Sequence, residues 1–285
     1  MQNLTYVAPA DINEATSLLA KYGGMTTVLA GGTDIMPKIN TYELRPEMIL
    51  YLGNLKLNAI REAGDGLEIG ACVTIAALIE SGLIVKKAPI LQQAALGHSS
   101  PAIRSAGTIG GNIVNASPAA DMAGPLLVLD ARVTLISSEG DRTVQIGDFF
   151  TGPGKSICRN NELLKAIYIP AVKGGTAFVK LGRRKAQSLA VVSASARIEV
   201  ENGVCKTARL AVGSMAPTAI RCKKAEELLV GKKIDADLLR ACAKAAIAEC
   251  SPIDDVRATA WYRKEAGQGI IRQALFAAAG LEYTD

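Results

Sequence analysis

The stretch SAGTIGGNIVNASPAADMAGPLLVLDA, Ser105–Ala131, sets small, polar and conformationally permissive residues directly against an apolar run. Before it turns apolar it holds the pair Gly110-Gly111 and a single carboxylate, Asp121. Glycine allows backbone conformations and close approaches that a Cβ forbids. Successive backbone N–H groups can then converge on an anion. The residues alone leave two readings: a phosphate cradle, or a turn packed on a core. A second stretch of this kind, LAGGTD (29–34), lies upstream where the β-branched run TTVLA (26–30) ends. Two such loops suit the two sides of a pyrophosphate. Neither is a G-x-G-x-x-G that opens a helix after a strand, which disfavours a Rossmann fold.

Working outward, Asp11 reads as a helix N-cap with Glu14 three residues on, and Gly23-Gly24 as that helix's end. EMILYL (47–52) and GLEIGACV (66–73) read as strands, and Thr74–Leu96 as helical with breaks near Ser81-Gly82 and at Pro89. RVTLISSEGDRTVQI (132–146) reads as a hairpin. A linker is expected near Lys173-Gly174-Gly175, followed by two long strands joined by Glu201-Asn202-Gly203. Asn-Gly is the strongest short hairpin signal in the chain. Beyond Thr218 the sequence turns helical. The pattern is α+β, with two regions meeting near residue 173.

At 285 residues the chain suits two domains, taking about 150 residues for each. Charged residues are 21% and hydrophobic ones 49%, which argues against disorder. Aromatics are only 4%, so cores must be aliphatic and base-stacking platforms are not expected. The +5 charge is dispersed apart from short clusters, Arg183-Arg184-Lys185 and Lys223-Lys224, and no DNA-binding stripe forms. Six cysteines (72, 158, 205, 222, 242, 250) contain no C-x-x-C pair, so neither a zinc site nor an iron–sulfur cluster is expected. With no secretory signal and no apolar run of about 20 residues, the expected location is cytoplasmic.

Other chemistries find little support. FFTGPGKS (149–156) ends like a P-loop, but Phe149 stands where the leading glycine belongs, and a turn and strand follow rather than a helix. His98 is the only histidine, which leaves no hydrolytic triad pattern and no metal set. It reads as a loop residue near a ligand or at a turn. Trp261 is expected to pack a helix, and Arg263 to make a surface or interdomain contact.

LAGGTDIMPKI followed by PAIRSAGTIGGNIVNASPAADMAGPLLVLDA resembles the FAD-binding subunits of molybdenum hydroxylases, the group that includes xanthine dehydrogenase flavin subunits and carbon monoxide dehydrogenase medium subunits. The resemblance continues in order through DFFTGPGK, AFVKLGRRKAQSLAVVSASARI, RLAVGSMAPTAIR and VRATAWYRKEAGQGIIRQAL. It implies a vanillyl-alcohol-oxidase (PCMH) type FAD-binding domain over 1–172, made of two α/β lobes (about 1–57 and 58–172). A C-terminal domain over 173–285 would pack a three-stranded antiparallel sheet against helices.

Carried over position by position, Leu29, Ala30, Gly31, Gly32, Thr33, Asp34, Ile35 and Met36 form one pyrophosphate cradle. Thr108, Ile109, Gly110, Gly111 and Asn112 form the other, with Asp121 a further FAD contact. His98, Ser100, Pro101 and Ile103 approach the flavin; Leu164 and Lys180 contact the cofactor from the C-terminal side. Many members carry Asp where this chain has Ser188, and Leu189 is expected to face the isoalloxazine. The iron–sulfur loop of aromatic-CoA reductases is absent from the sequence.

The resemblance further implies a molybdenum subunit that oxidises substrate and a [2Fe-2S] subunit that relays electrons, with NAD, a quinone, ferredoxin or oxygen as acceptor. No side chain is assigned as acid, base or nucleophile. Two other functions are consistent with the fold: a flavin-free assembly module, which intact glycine loops disfavour, and a stand-alone flavin oxidase. The second is disfavoured because no large substrate domain is present and no His or Cys for covalent flavin attachment lies near the first loop.

Overall fold

The computed structural model describes residues 4–184 and 187–283, so Lys185 of the basic cluster lies outside the described residues. The N-terminal region forms a parallel sheet in which Met48–Tyr51 lies between Thr5–Val7 and Thr26–Leu29. The helix Ile12–Tyr22 carries the chain from one edge strand to the other, as parallel neighbours require. Its start is the expected one. Asp11 Oδ1 accepts from the Glu14 N–H at 2.9 Å, and Glu14 Oε2 accepts from the Ala10 N–H at 2.8 Å. Its end is also at Gly23, as expected, where Gly23 stays right-handed and the chain tightens into a 3-10 turn over Gly23–Met25. Glycine is needed there for space, since a Cβ would lie 2.4 Å from the Asn160 carbonyl oxygen.

The second sheet is antiparallel, in the order Ile60–Ala63, Gly66–Gly70, Leu163–Ile169, Arg132–Ser137, Gly140–Gln145. The strand expected over 66–73 ends at Gly70 and joins this sheet. The helices Ile75–Glu80, Gly82–Lys87 and Pro89–Leu96 break at Ser81 and Pro89 as the sequence predicts. The apolar run that follows the quoted loop is the helix Ala123–Val128, every residue of which is buried.

The third sheet contains the expected antiparallel strands Gly175–Gly182, Ala190–Glu201 and Val204–Gly213, and a two-residue strand, Ile220–Arg221, adds a fourth at the edge. Asn202 and Gly203 both take positive φ, 52° and 78°, as a type I′ hairpin demands. The central strand is covered on both faces. Its side chains alternate with a period of two. Val192, Ala194, Ala196 and Ile198 join a core with the long helix Ala260–Ala279. Ser193, Ser195 and Arg197 are buried on the opposite face. Small residues permit that second contact: a Cβ on Gly124, in the helix Ala123–Val128, would lie 2.6 Å from Ser195 Oγ. Arg197 extends the row and donates to Asp130 Oδ2 at 2.6 Å. Asp130 also accepts from Arg209 at 3.1 Å and Arg221 at 3.0 Å, which ties the end of that helix to the third sheet.

Two expectations on the last helix are corrected. Trp261 is 71% exposed, whereas Arg263 is 1% exposed. Helical phase is the reason. Arg263 falls on the buried stripe with Gly267, Ile271, Ala274 and Ala278, and a residue two positions away points to the other side. Arg263 donates to the carbonyls of Val191 (2.7 Å) and Ser214 (3.0 Å) and to Asp255 Oδ1 (2.7 Å).

Arg257 and, more weakly, Arg263 hold the Asp255 carboxyl well below the usual carboxylate range. A carboxyl depressed in this way contributes stability above its unfolded value of about 3.9, and that stability is lost as pH falls through the folded value. Asp255→Asn is expected to cost about 1–3 kcal/mol at neutral pH, because buried Arg263 keeps its charge without an anion. The gap from wild type should narrow as pH drops below about 4. Denaturant melts across that range measure it, and a gap independent of pH would contradict the assignment.

Candidate functional site

The two glycine loops meet. A Cβ on Gly31 would lie 1.8 Å from the Ala106 carbonyl oxygen and 3.1 Å from Gly107 Cα, at the entry to the second loop. Gly110 is pressed in the same way onto Ala71, whose carbonyl oxygen would be 2.5 Å from a Cβ. Gly32 serves conformation, with φ 71°. Gly111 differs from these three: a Cβ there would meet only Thr108 Oγ1, at 3.0 Å.

The second loop is locked from within. Thr108 Oγ1 accepts from the Gly111 N–H at 3.0 Å and caps the helix Ile109–Val114. The N–H groups of Ile109 and Gly110 donate to Val73 and Ala71, each at 2.9 Å. Asn112 Oδ1 accepts from the Met122 N–H at 3.3 Å. The first loop is the opposite case. Among the described residues, the N–H groups of Gly31, Gly32, Thr33 and Asp34 donate to no protein acceptor. Successive free donors of this kind are what a bound anion satisfies.

Both loops open on a cleft of about 780 Å³. Of the predicted residues, Ala30, Gly31, Gly32, Thr33, Asp34, Ile35, His98, Ile103, Thr108, Gly110, Gly111, Asn112, Asp121, Leu164 and Leu189 line it. Leu29, Met36, Ser100, Pro101, Ile109 and Lys180 are not in its wall. Ile109 is fully buried behind the loop. Ser100 caps the helix Pro101–Ala106 by accepting from the Ile103 N–H at 3.2 Å. Leu189 is 64% exposed, an apolar rim.

Lys180 reaches the cleft through Asp121. Its Nζ donates to Asp121 Oδ2 at 2.8 Å and to the Gly97 carbonyl at 3.1 Å. His98 Nδ1 is also 2.8 Å from Asp121 Oδ2. Asp121 is 5% exposed, and its other oxygen, Oδ1, is buried with no partner. A buried carboxylate oxygen without a donor carries a cost that a ligand hydroxyl or amide would remove. The free N–H groups and this orphaned acceptor therefore fit a group carrying both phosphate and hydroxyls, as FAD does.

Sequence reading missed Lys38, Asn115, Ser117 and Glu162 in the wall. Asn115 and Ser117 sit inside the quoted stretch, and Lys38 follows Asp34 by four residues and pairs with it at 2.7 Å. Only Glu162 had no local signal. It is held by Arg142, whose guanidinium keeps its carboxyl below the ordinary range. Cys158, also in the wall, is pushed up to about 11 by burial, so it is a neutral thiol rather than a nucleophile. The P-loop-like segment is a tight hairpin with Gly154 at φ 67°, and that glycine borders the cleft. Among the described residues, no group of three or more His, Cys, Asp or Glu side chains could hold a metal.

Residues 2–172 match the family described as the FAD binding domain in molybdopterin dehydrogenase, and residues 177–278 match the CO dehydrogenase flavoprotein C-terminal domain. The carbon monoxide dehydrogenase medium chain of Hydrogenophaga pseudoflava is 32% identical over 96% of each chain. The xanthine dehydrogenase FAD-binding subunit of Escherichia coli O157:H7 is 33% identical over 97% of each. Among solved structures, carbon monoxide dehydrogenase from Hydrogenophaga pseudoflava aligns with a TM-score of 0.94 at 32% identity, covering 98% of both chains. Quinoline 2-oxidoreductase from Pseudomonas putida 86 aligns with a TM-score of 0.93 at 28% identity over 97% of both.

The two neighbouring glycines should separate in experiment. Gly110→Ala drives a Cβ into the Ala71 backbone and is expected to cost about 1–3 kcal/mol of stability. Gly111→Ala should melt close to wild type and lose FAD affinity instead. Thermal melts with and without added FAD measure both, and equal destabilisation of the two variants would contradict the division.

Proposed function

Because the chain belongs to the family of FAD-binding medium subunits of molybdenum hydroxylases, we propose that it takes electrons from a [2Fe-2S] partner and passes them to an external acceptor such as NAD. It is a subunit of an oxidoreductase and its cofactor is FAD. FAD supplies the exchange between one-electron and two-electron carriers. The protein's part is to hold, orient and polarise it.

The free N–H groups of residues 31–34 take the pyrophosphate, and the capped loop Thr108–Asn112, its own N–H groups of 109–112 already paired, forms the facing wall. Leu29 and Met36 flank the first loop. Asp121 offers its unpartnered Oδ1 to the cofactor, while Lys180 and His98 fix the other oxygen. Ile103 and Leu164 supply apolar wall, Leu189 covers the rim, and Ser100-Pro101 start the helix that carries Ile103. In this assignment residues 1–172 form the cofactor domain, with lobes at about 1–57 and 58–172, and residues 173–285 close the cleft through Lys180 and Leu189.

Substrate oxidation falls to a molybdenum-cofactor subunit of the same complex. Among the described residues no helix is long and apolar enough to cross a membrane, and the reading puts the complex in the cytoplasm. The observation that carries the proposal is the run of unpartnered donors at residues 31–34 beside the orphaned Asp121 Oδ1. A flavin-free assembly role would leave both without a purpose.

The chain purified with its neighbouring subunits should hold FAD stoichiometrically and release it as a yellow flavin on denaturation. A reduced two-iron ferredoxin should bleach the flavin band anaerobically, and NAD should restore it. A colourless chain that takes up no added FAD would refute the cofactor assignment. Bleaching by NADH but never by an iron–sulfur donor would refute the proposed direction of electron input.

A further inference from the structure

His98 is the only histidine of the chain, and it lines the cleft. Asp121 has a carboxylate that accepts only, so the ring nitrogen facing it, Nδ1 at 2.8 Å, carries the hydrogen. That contact fixes the tautomer and leaves Nε2 as a bare acceptor, which has no protein partner among the described residues. The charged groups around the ring are few. Asp121 lies against Nδ1. Lys180, from the strand Gly175–Gly182, neutralises Asp121 at 2.8 Å. Arg104, from the helix Pro101–Ala106, donates to the His98 carbonyl at 3.2 Å and to the Leu96 carbonyl at 3.0 Å. The Asp121–Lys180 pair faces the ring, Arg104 meets only its backbone carbonyl, and the other carboxylates of the cleft wall, Asp34 and Glu162, are paired with Lys38 and Arg142.

We propose that His98 is the protein group that takes up a proton when electrons enter the cleft. The proposal rests on FAD occupying it. Two electrons arriving from a one-electron iron–sulfur donor call for up to two protons. One would be taken up by the cofactor together with the electrons. The second would form the Nε2–H bond of His98, whose positive charge Asp121 would compensate at Nδ1. Nothing else in the wall suits the task. In the wall, Lys38 is already cationic and paired with Asp34, and Cys158 is a neutral thiol; behind it, Lys180 is cationic as well. Glu162 is held as an anion by Arg142. Imidazole alone among these side chains can gain a proton at one nitrogen while the other stays hydrogen-bonded to Asp121. Asp121 is then a positioning residue, since it aims the ring and compensates the imidazolium without receiving the proton.

The test counts protons. The full chain loaded with FAD is reduced anaerobically by dithionite in weak buffer at about pH 8. Reduction is followed in the flavin band, and proton uptake, corrected for the reductant, with an indicator dye. Wild type should take up close to two protons for each flavin reduced, and His98→Gln and His98→Asn close to one. Correspondingly, the slope of the flavin midpoint potential against pH should fall by about half in both variants. A merely structural histidine would change FAD affinity in the variants and leave the proton count and slope as in wild type. That result, or a wild-type count of one, would overturn the proposal. Failure of the wild-type chain to bind FAD would refute the cofactor assignment instead, so the two failures are distinguishable.

Discussion

The close approach of Gly31 to the Ala106 carbonyl is the contact on which the site depends. A side chain at that point would lie 1.8 Å from the oxygen, so the first loop reaches the second only because residue 31 has no Cβ. Gly110 on Ala71 repeats the device and presses the second loop onto the end of the strand Gly66–Gly70. Once the loops are seated, their hydrogen bonding divides. The second loop spends its donors on Val73, Ala71 and Thr108, while the first leaves the N–H groups of residues 31–34 free. One loop is scaffold and the other is receptor.

Three aspartates hold distant parts of the chain in register around this pair. Asp121 gathers His98 and Lys180, Asp130 gathers Arg197, Arg209 and Arg221, and Asp255 gathers Arg257 and Arg263. Partly buried pairs of this type add little net stability over an apolar replacement, but losing one partner is costly because the other charge is stranded. Their value here is positional. Asp130 fixes the third sheet to the helix after the glycine loop, and Asp121 brings Lys180 from that sheet to the cleft. Only Asp121 retains an unsatisfied oxygen beside a cavity, which marks it as the node that also serves a ligand.

Local signals carried much of this into the sequence. The Asp11 cap, the breaks at Ser81 and Pro89, the Asn202-Gly203 hairpin and the two long strands it joins each rest on residues close together in the chain. What was not legible depends on partners far away. Thr5–Val7, Ile60–Ala63 and Ile220–Arg221 are too short to show a period and exist because a neighbouring strand offers pairing. The glycine pairs were visible, but which glycine serves packing, which serves φ and which meets only a side-chain hydroxyl depends on Ala106, Ala71 and Thr108. The link from Lys180 to Asp121 spans 59 residues and no signal foretold it: the resemblance put both at the cofactor without pairing them. Arg263 is the instructive miss: the stripe Arg263, Gly267, Ile271, Ala274 was present in the sequence, and weighting charge over phase put the residue on the wrong side.

The most direct measurement is an experimental structure of the chain with FAD bound. The account predicts the pyrophosphate oxygens within hydrogen-bonding distance of the N–H groups of Gly31, Gly32, Thr33 and Asp34. It also predicts a cofactor donor on Asp121 Oδ1. A dinucleotide bound elsewhere, or one whose phosphates are held by side chains while those N–H groups face water, would contradict it.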